Sequence, residues 1–146
     1  MESLRAAAAT VISTLLAREL HLNEFFWAPV STIVVILSPK DRLTVAWQRF
    51  VGTAVGVVLG ALIASYFPFN WIVYGAGIFV CGLVSAVLRL GTAYRFAAIA
   101  MSIVVLIAHK ISPWIVAAHR FAEVSLGIAV ALAISALWKL PAENVA

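Results

Sequence analysis

A twelve-residue stretch, Val45 to Gly56, returns without a gap as Val116 to Gly127, displaced by 71 residues. Five matched positions are identical, among them Arg49 with Arg120, Phe50 with Phe121 and Gly56 with Gly127. The same displacement sets Arg18 on Arg89, Phe25 on Phe96, Ser31 on Ser102, Val34 on Val105 and Ile36 on Ile107. A chain of 146 residues therefore reads as one unit of about half that length, written twice. The first copy covers about 4–68 and the second about 71–139, within a single domain spanning 1–146.

The solvent for this unit follows from composition. Apolar residues make up 64% of the chain and charged residues 11%, with a mean hydropathy of +1.09. Soluble domains carry roughly 25% charged residues, so a chain this apolar cannot cover its surface in water and is expected in lipid. The net charge of +4 is scattered between apolar runs, which argues against nucleic acid as a partner. Cys81 is the only cysteine, so an internal disulfide is excluded; inside an apolar run it reads as a small core residue. Arg5 followed by the Ala-rich Ala6–Ala17 reads as a first span and not as a cleaved signal.

Six apolar runs stand out: Leu4–Leu16, Phe25–Leu37, Phe50–Phe67, Trp71–Leu88, Phe96–Ala108 and Phe121–Leu137. Backbone polar groups cannot be left open in lipid, and the runs lack alternating polarity, so helices are expected over strands. The fold class is all-α: a polytopic membrane protein with six transmembrane helices. Three spans per copy is an odd number, so the second copy enters the membrane from the opposite side, making a 3+3 inverted repeat. With both termini in the cytoplasm, the inner segments hold Arg5, Lys40, Arg42, Arg49, Arg89, Arg95 and Lys139, against Arg18, Lys110 and Arg120 outside. That bias agrees with the positive-inside rule and a bacterial inner membrane. Gly52, Gly56, Gly60 and Ala64 recur every fourth position, as do Gly127, Ala131 and Ser135. Small residues at this spacing let helix backbones approach closely.

No metal-ligating cluster, nucleophile elbow or phosphate-binding glycine loop is present, so neither an enzyme nor a cofactor is expected. His21, His109 and His119 fall at expected membrane edges. Arg49 and Arg120 each open a long apolar run, where a cation disfavours the helix dipole; a helix start plus a guanidinium suits an anion. On the inverted repeat the two would lie near opposite mouths of one path. Equally, both could snorkel to lipid phosphates. Glu123 stands where the first copy has Gly52, three residues after Arg120; it is either that arginine's neutralising partner or a proton-titrating carboxylate. Glu24 is a weaker candidate of that kind. The short second and fifth runs occupy corresponding places in the two halves, a pointer to a substrate site. The second carries Trp27, Pro29, Ser31 and Thr32, and the fifth Met101 and Ser102, with Tyr94 just before it. Trp27 and Tyr94 could stack on an aromatic ligand or belong to the interfacial belt.

The string Phe26-Trp27-Ala28-Pro29, then Ser38-Pro39, then Arg49-Phe50-x-Gly52-Thr53-x-x-Gly56 resembles the fusaric acid resistance-like superfamily, with its aromatic acid exporters. Arg120-Phe121-x-Glu123-x-x-x-Gly127 and Trp138-x-x-Pro141 resemble its closing segment. The resemblance implies a six-helix membrane module that handles organic anions. Larger relatives carry two modules or soluble domains, so this module is expected to assemble with a copy of itself, a dimer being the simplest choice. The leading expectation is proton-gradient-driven efflux of small organic or aromatic carboxylic acids. Arg49 and Arg120 would attract the anion, Trp27 would contact its body and Glu123 would titrate. The alternatives are a passive anion channel, and a non-transporting membrane subunit that binds another helix bundle.

Overall fold

A computed structural model describes residues 2–22, 24, 26–38, 41–108 and 110–138. Phe25, Pro39, Lys40, His109, Lys139 and Pro141, named above, lie outside the described residues. Among the described residues the chain is all-α, with six helices: α1 Glu2–Glu19, α2 Trp27–Ile36, α3 Arg42–Tyr66, α4 Trp71–Val87, α5 Ala93–Ile107 and α6 Pro113–Leu137.

The helices start where local chemistry permits. Asp41 caps α3, its Oδ1 accepting the Leu43 N–H at 3.1 Å. Asn70 does the same for α4 through the Ile72 N–H at 3.1 Å. Pro113 opens α6, where its missing N–H costs nothing. One expectation falls here. Arg49 and Arg120 do not open their helices; each lies seven residues inside, two turns from the start. Polar residues such as Thr44 and Gln48 interrupt the apolar run but not the helix. Macrodipole effects fade within the first turn, so the helix-start argument for these two arginines is withdrawn.

Only α3 and α6, 25 residues each, are long and apolar enough to cross a membrane alone. α2 has ten residues, about 15 Å of helix, half of a hydrocarbon core. Large apolar side chains nevertheless cover the outside: Ile72 is 78% exposed, Phe79 73% and Val87 74%, all on α4.

Buried positions recur in pairs, and they correct the register. α3 and α6 share bounds displaced by 71 residues, and their buried faces follow that displacement, as in Arg49 with Arg120 and Gly56 with Gly127. In α2 and α5 the matching pairs are Ala28 with Ala97, Ser31 with Ala100, Thr32 with Met101 and Ile36 with Val105, a displacement of 69. In α1 and α4 they are Ala9 with Gly77, Ser13 with Cys81 and Ala17 with Ser85, a displacement of 68. The ends of α1 and α4 agree. The Leu22 N–H donates to the Ala17 carbonyl and the Leu90 N–H to the Ser85 carbonyl. Left-handed His21 and Arg89 occupy the closing position of the two helices. So Arg89 corresponds to His21 and not to Arg18, and Val105 to Ile36 and not to Val34. An ungapped comparison carries the α3/α6 register into neighbours joined by loops of different length.

Packing repeats as well. α3 lies chiefly on α5, and α6 on α2. A Cβ on Gly56 would strike the Ala97 carbonyl, and one on Gly127 the equivalent Ala28 carbonyl. A Cβ on Gly52 would lie 2.5 Å from the Ala93 oxygen, and one on Gly60 3.0 Å from the Val104 Cβ. These four glycines therefore sit where backbone meets backbone. Phe50 and Phe121, equivalent residues, touch at 5.0 Å between ring centroids, so α3 and α6 cross at their arginine turns. Ala46 clusters with Val124, Ile128 and Ala131, whereas Val57 and Ala61 cluster with Val116 and Ala117. α3 and α6 thus run in opposite directions past one another.

Candidate functional site

The crossing of α3 and α6 brings both arginines to one place. Arg49, Arg120, Trp27, Thr53, Phe96 and Val124 line a single cavity of about 20 Å³, room for one water molecule. The expectation that the arginines lie at separate mouths is therefore wrong. They face the same cavity because equivalent positions on two crossed helices meet at the crossing point.

Each guanidinium is buried and covered by a ring. The Arg120 Cζ lies 3.7 Å from the Trp27 ring centroid, and the Arg49 Cζ 5.0 Å from that of Phe96. Trp27 and Phe96 are themselves equivalent at the 69-residue displacement of α2 and α5. Phe96 was not singled out from the sequence as a site residue. The signal that identifies it is the shifted register, which turns the Trp27–Arg120 pair into the Phe96–Arg49 pair.

Charge around the two arginines differs sharply. Arg120 Nη1 has two carboxylates near it, Glu123 Oε2 at 3.5 Å and Glu24 Oε2 at 3.8 Å. Glu24 Oε2 also accepts the Trp27 indole N–H at 3.0 Å, tying the ring over the guanidinium. Arg49 has no carboxylate partner among the described residues. Its Nη2 donates to the Ser31 hydroxyl at 3.0 Å, and its Nε is buried without a partner. Arg49 is 8% exposed, so this is an uncompensated cation in the interior. Such a charge is costly unless an anion joins it.

Glu123 explains why α2 is short. In the first copy Gly52 lets the first residue of α5, Ala93, press its carbonyl against α3. In the second copy that space is filled by the Glu123 side chain, 1% exposed. The backbone at Glu24 is not helical, and its N–H donates instead to Glu123 Oε1 at 3.1 Å. Thr32 Oγ1 lies 3.1 Å from the carbonyl oxygens of both Ala28 and Gly127, fixing α2 on α6. Of the other sequence candidates, His119 lines a neighbouring cleft with Glu24, Arg120 and Glu123. Tyr94 packs its ring beside Gly82, away from the arginines. Among the described residues no cluster of groups suited to a metal ion occurs.

The family model described as fusaric acid resistance protein-like matches residues 8–134, which include every residue named at this site. The chain belongs to this family. As a fusaric acid resistance-like protein it is a membrane protein, and the family points to transport or resistance at a membrane. No curated protein and no solved structure matches the chain. Within the fusaric acid resistance-like module, the paired arginines, their covering rings and the two carboxylates form a polar centre at the crossing of α3 and α6.

Proposed function

We propose that this protein is a transporter, not an enzyme, that exports small organic or aromatic carboxylic acids across a bacterial inner membrane. The carrying observation is Arg49: a buried guanidinium with no carboxylate partner among the described residues, facing a cavity it shares with a second guanidinium and two aromatic rings. A carboxylate ligand would satisfy Arg49, and its apolar body would lie against Trp27 and Phe96. A 20 Å³ cavity is the closed form of such a site. Admitting a ligand requires the rings to swing off the guanidiniums.

The reading includes six spans arranged as a 3+3 inverted repeat with both termini cytoplasmic. Paired burial, matched helix ends and the opposed directions of α3 and α6 support it. The crossing at Phe50 and Phe121 would lie at the bilayer midplane, where transporters of this construction hold their substrates. The short α2 would reach full depth only with its non-helical flank, which is tolerated where it lines a polar site. The reading also includes pairing with a second copy about an axis along the membrane normal, which a native mass measurement in detergent tests.

Glu123 would couple the anion to a proton. Ionised, it holds Arg120; protonated, it releases that guanidinium to the ligand. Glu24, Arg120, Arg49 and His119 are the charged or titratable groups around it. Proton and anion would then bind together, so the species moved is the acid equivalent; an inward proton gradient would oppose its exit, and export would follow the acid's own outward gradient rather than the proton-driven efflux expected from the sequence. The site itself has no direction; the resistance named in the family description supports export.

Flux of labelled aromatic acids in proteoliposomes, with and without an imposed pH difference, is the test. Flux that rises when protons and acid start on the same side, and that Glu123→Gln uncouples from pH, supports the reading. Flux that ignores the pH difference and that Glu123→Gln leaves intact points to a passive channel. No flux in the wild-type protein, with a second membrane protein co-purifying, points to a non-transporting subunit.

A further inference from the structure

Away from the central cavity, the starts of α1 and α3 hold a second arginine pair. Arg5 is 2% exposed, and its Nε and Nη2 are buried without hydrogen-bond partners. Arg42, the first residue of α3, also has a buried, unpartnered Nε. One carboxylate serves both: Glu2 Oε1 stands 3.8 Å from Arg5 Nη2 and 3.9 Å from Arg42 Nη2. Both separations exceed a hydrogen bond. Glu2 is itself 69% exposed, so its hold is weak. The two guanidiniums thus share one loosely held carboxylate, while the Asp41 carboxylate beside Arg42 is engaged by the Leu43 N–H and the Thr44 hydroxyl of the α3 start.

We propose that Arg5 and Arg42 form a phosphate-binding site, with the phosphate seated between their Nη2 groups where Glu2 now stands. A phosphate oxygen can take hydrogen bonds from both forks, which a single carboxylate oxygen at 3.8 Å does not. The depth of the site rests on the membrane reading given above: Arg42 lies eight residues before Phe50, about 12 Å along α3 from the proposed midplane. That is just inside the edge of a hydrocarbon core of about 30 Å, within reach of a lipid headgroup phosphate. A free phosphate offers the same chemistry.

The test is thermal unfolding of the purified protein in uncharged detergent. It is titrated with inorganic phosphate, short-chain phosphatidylglycerol or short-chain diacylglycerol, which lacks the phosphate. The site predicts stabilisation by phosphatidylglycerol and none by diacylglycerol. Arg42→Gln should raise the half-saturating concentration about tenfold, the loss of one charge-assisted hydrogen bond. Arg42→Lys should fall between, and Glu2→Gln should bind more tightly than wild type because the competing carboxylate is gone. Inorganic phosphate that matches and displaces the lipid's effect assigns the site to free phosphate; a lipid effect it cannot displace assigns it to headgroups. Equal responses of wild type and Arg42→Gln, or no response to either phosphate source, overturn the proposal. Because the measurement is made without transport, its failure leaves the central site untouched, and failure of flux leaves this one untouched.

Discussion

Arg49 and Arg120 occupy equivalent turns of equivalent helices, yet among the described residues only Arg120 has carboxylate company. That difference sets the outcome of substitution. Arg49→Gln should lower acid flux at least tenfold, since a charge-assisted hydrogen bond is worth about 1.5–3 kcal/mol. The variant should unfold no more readily than wild type, because a buried uncompensated charge has been removed. Arg49→Lys should restore part of the flux, its single ammonium lacking the guanidinium's fork. Flux in Arg49→Gln equal to wild type would remove the anion-site reading. Glu123→Gln should keep the Glu24 cap, because the amide oxygen still accepts that N–H. The checkable outcome is preserved helicity by circular dichroism together with flux that no longer varies with pH. Arg49, Arg120, Trp27 and Glu123 could each be named from sequence because charge and aromaticity stand out in an apolar chain. Phe96 could not, since its role depends on which turn of α5 faces α3, and Ser31 was marked only as part of the short second run, without its bond to Arg49. Arg5 was equally hidden: in an Ala-rich helix nothing periodic says which face is covered.

At the scale of elements, contact between backbones governs. Gly56 lies on the Ala97 carbonyl with no room for a side chain, so Gly56→Val should force α3 from α5. Overpacking typically costs about 1–3 kcal/mol, and more where the obstacle is backbone. Gly75 has nothing within 4 Å, so Gly75→Ala should leave stability unchanged or raise it by up to about 1 kcal/mol. Melting temperatures of the two variants in one detergent separate a packing role for the α3 stripe from a general intolerance of glycine replacement. The six helices were readable as six apolar runs. Their starts were not, because α3 and α6 begin with polar turns that hydropathy discards and capping by Asp41 or Pro113 permits. The register between α2 and α5 was misjudged for a different reason. Shifts of one and two residues between successive helix pairs leave no mark in an ungapped comparison, and the displaced alignment still matched a few apolar pairs by composition.

For the whole molecule, the arrangement predicts sidedness. With six spans and cytoplasmic termini, the α3–α4 turn faces outward and the α2–α3 turn inward. In a Cys81→Ser background, Pro68→Cys should react with a membrane-impermeant maleimide in intact cells. Ser38→Cys should react only after the membrane is broken. Labelling of both from outside would refute the inverted arrangement while leaving the helix packing intact. Odd-span counting from sequence gave this orientation its logic, but only the opposed passage of α3 and α6 supplies a geometric reason for it.

Gly52 and Glu123 occupy equivalent places in the two copies. A duplicated machine with indistinguishable halves would open to either side at equal energy, and its resting state would be a coin toss. A hydrogen atom in one half set against a carboxylate in the other lifts that degeneracy. Under the proposed transport reading, the preference for one resting orientation would draw on this pair together with the Trp27–Phe96 and Ser31–Ala100 differences.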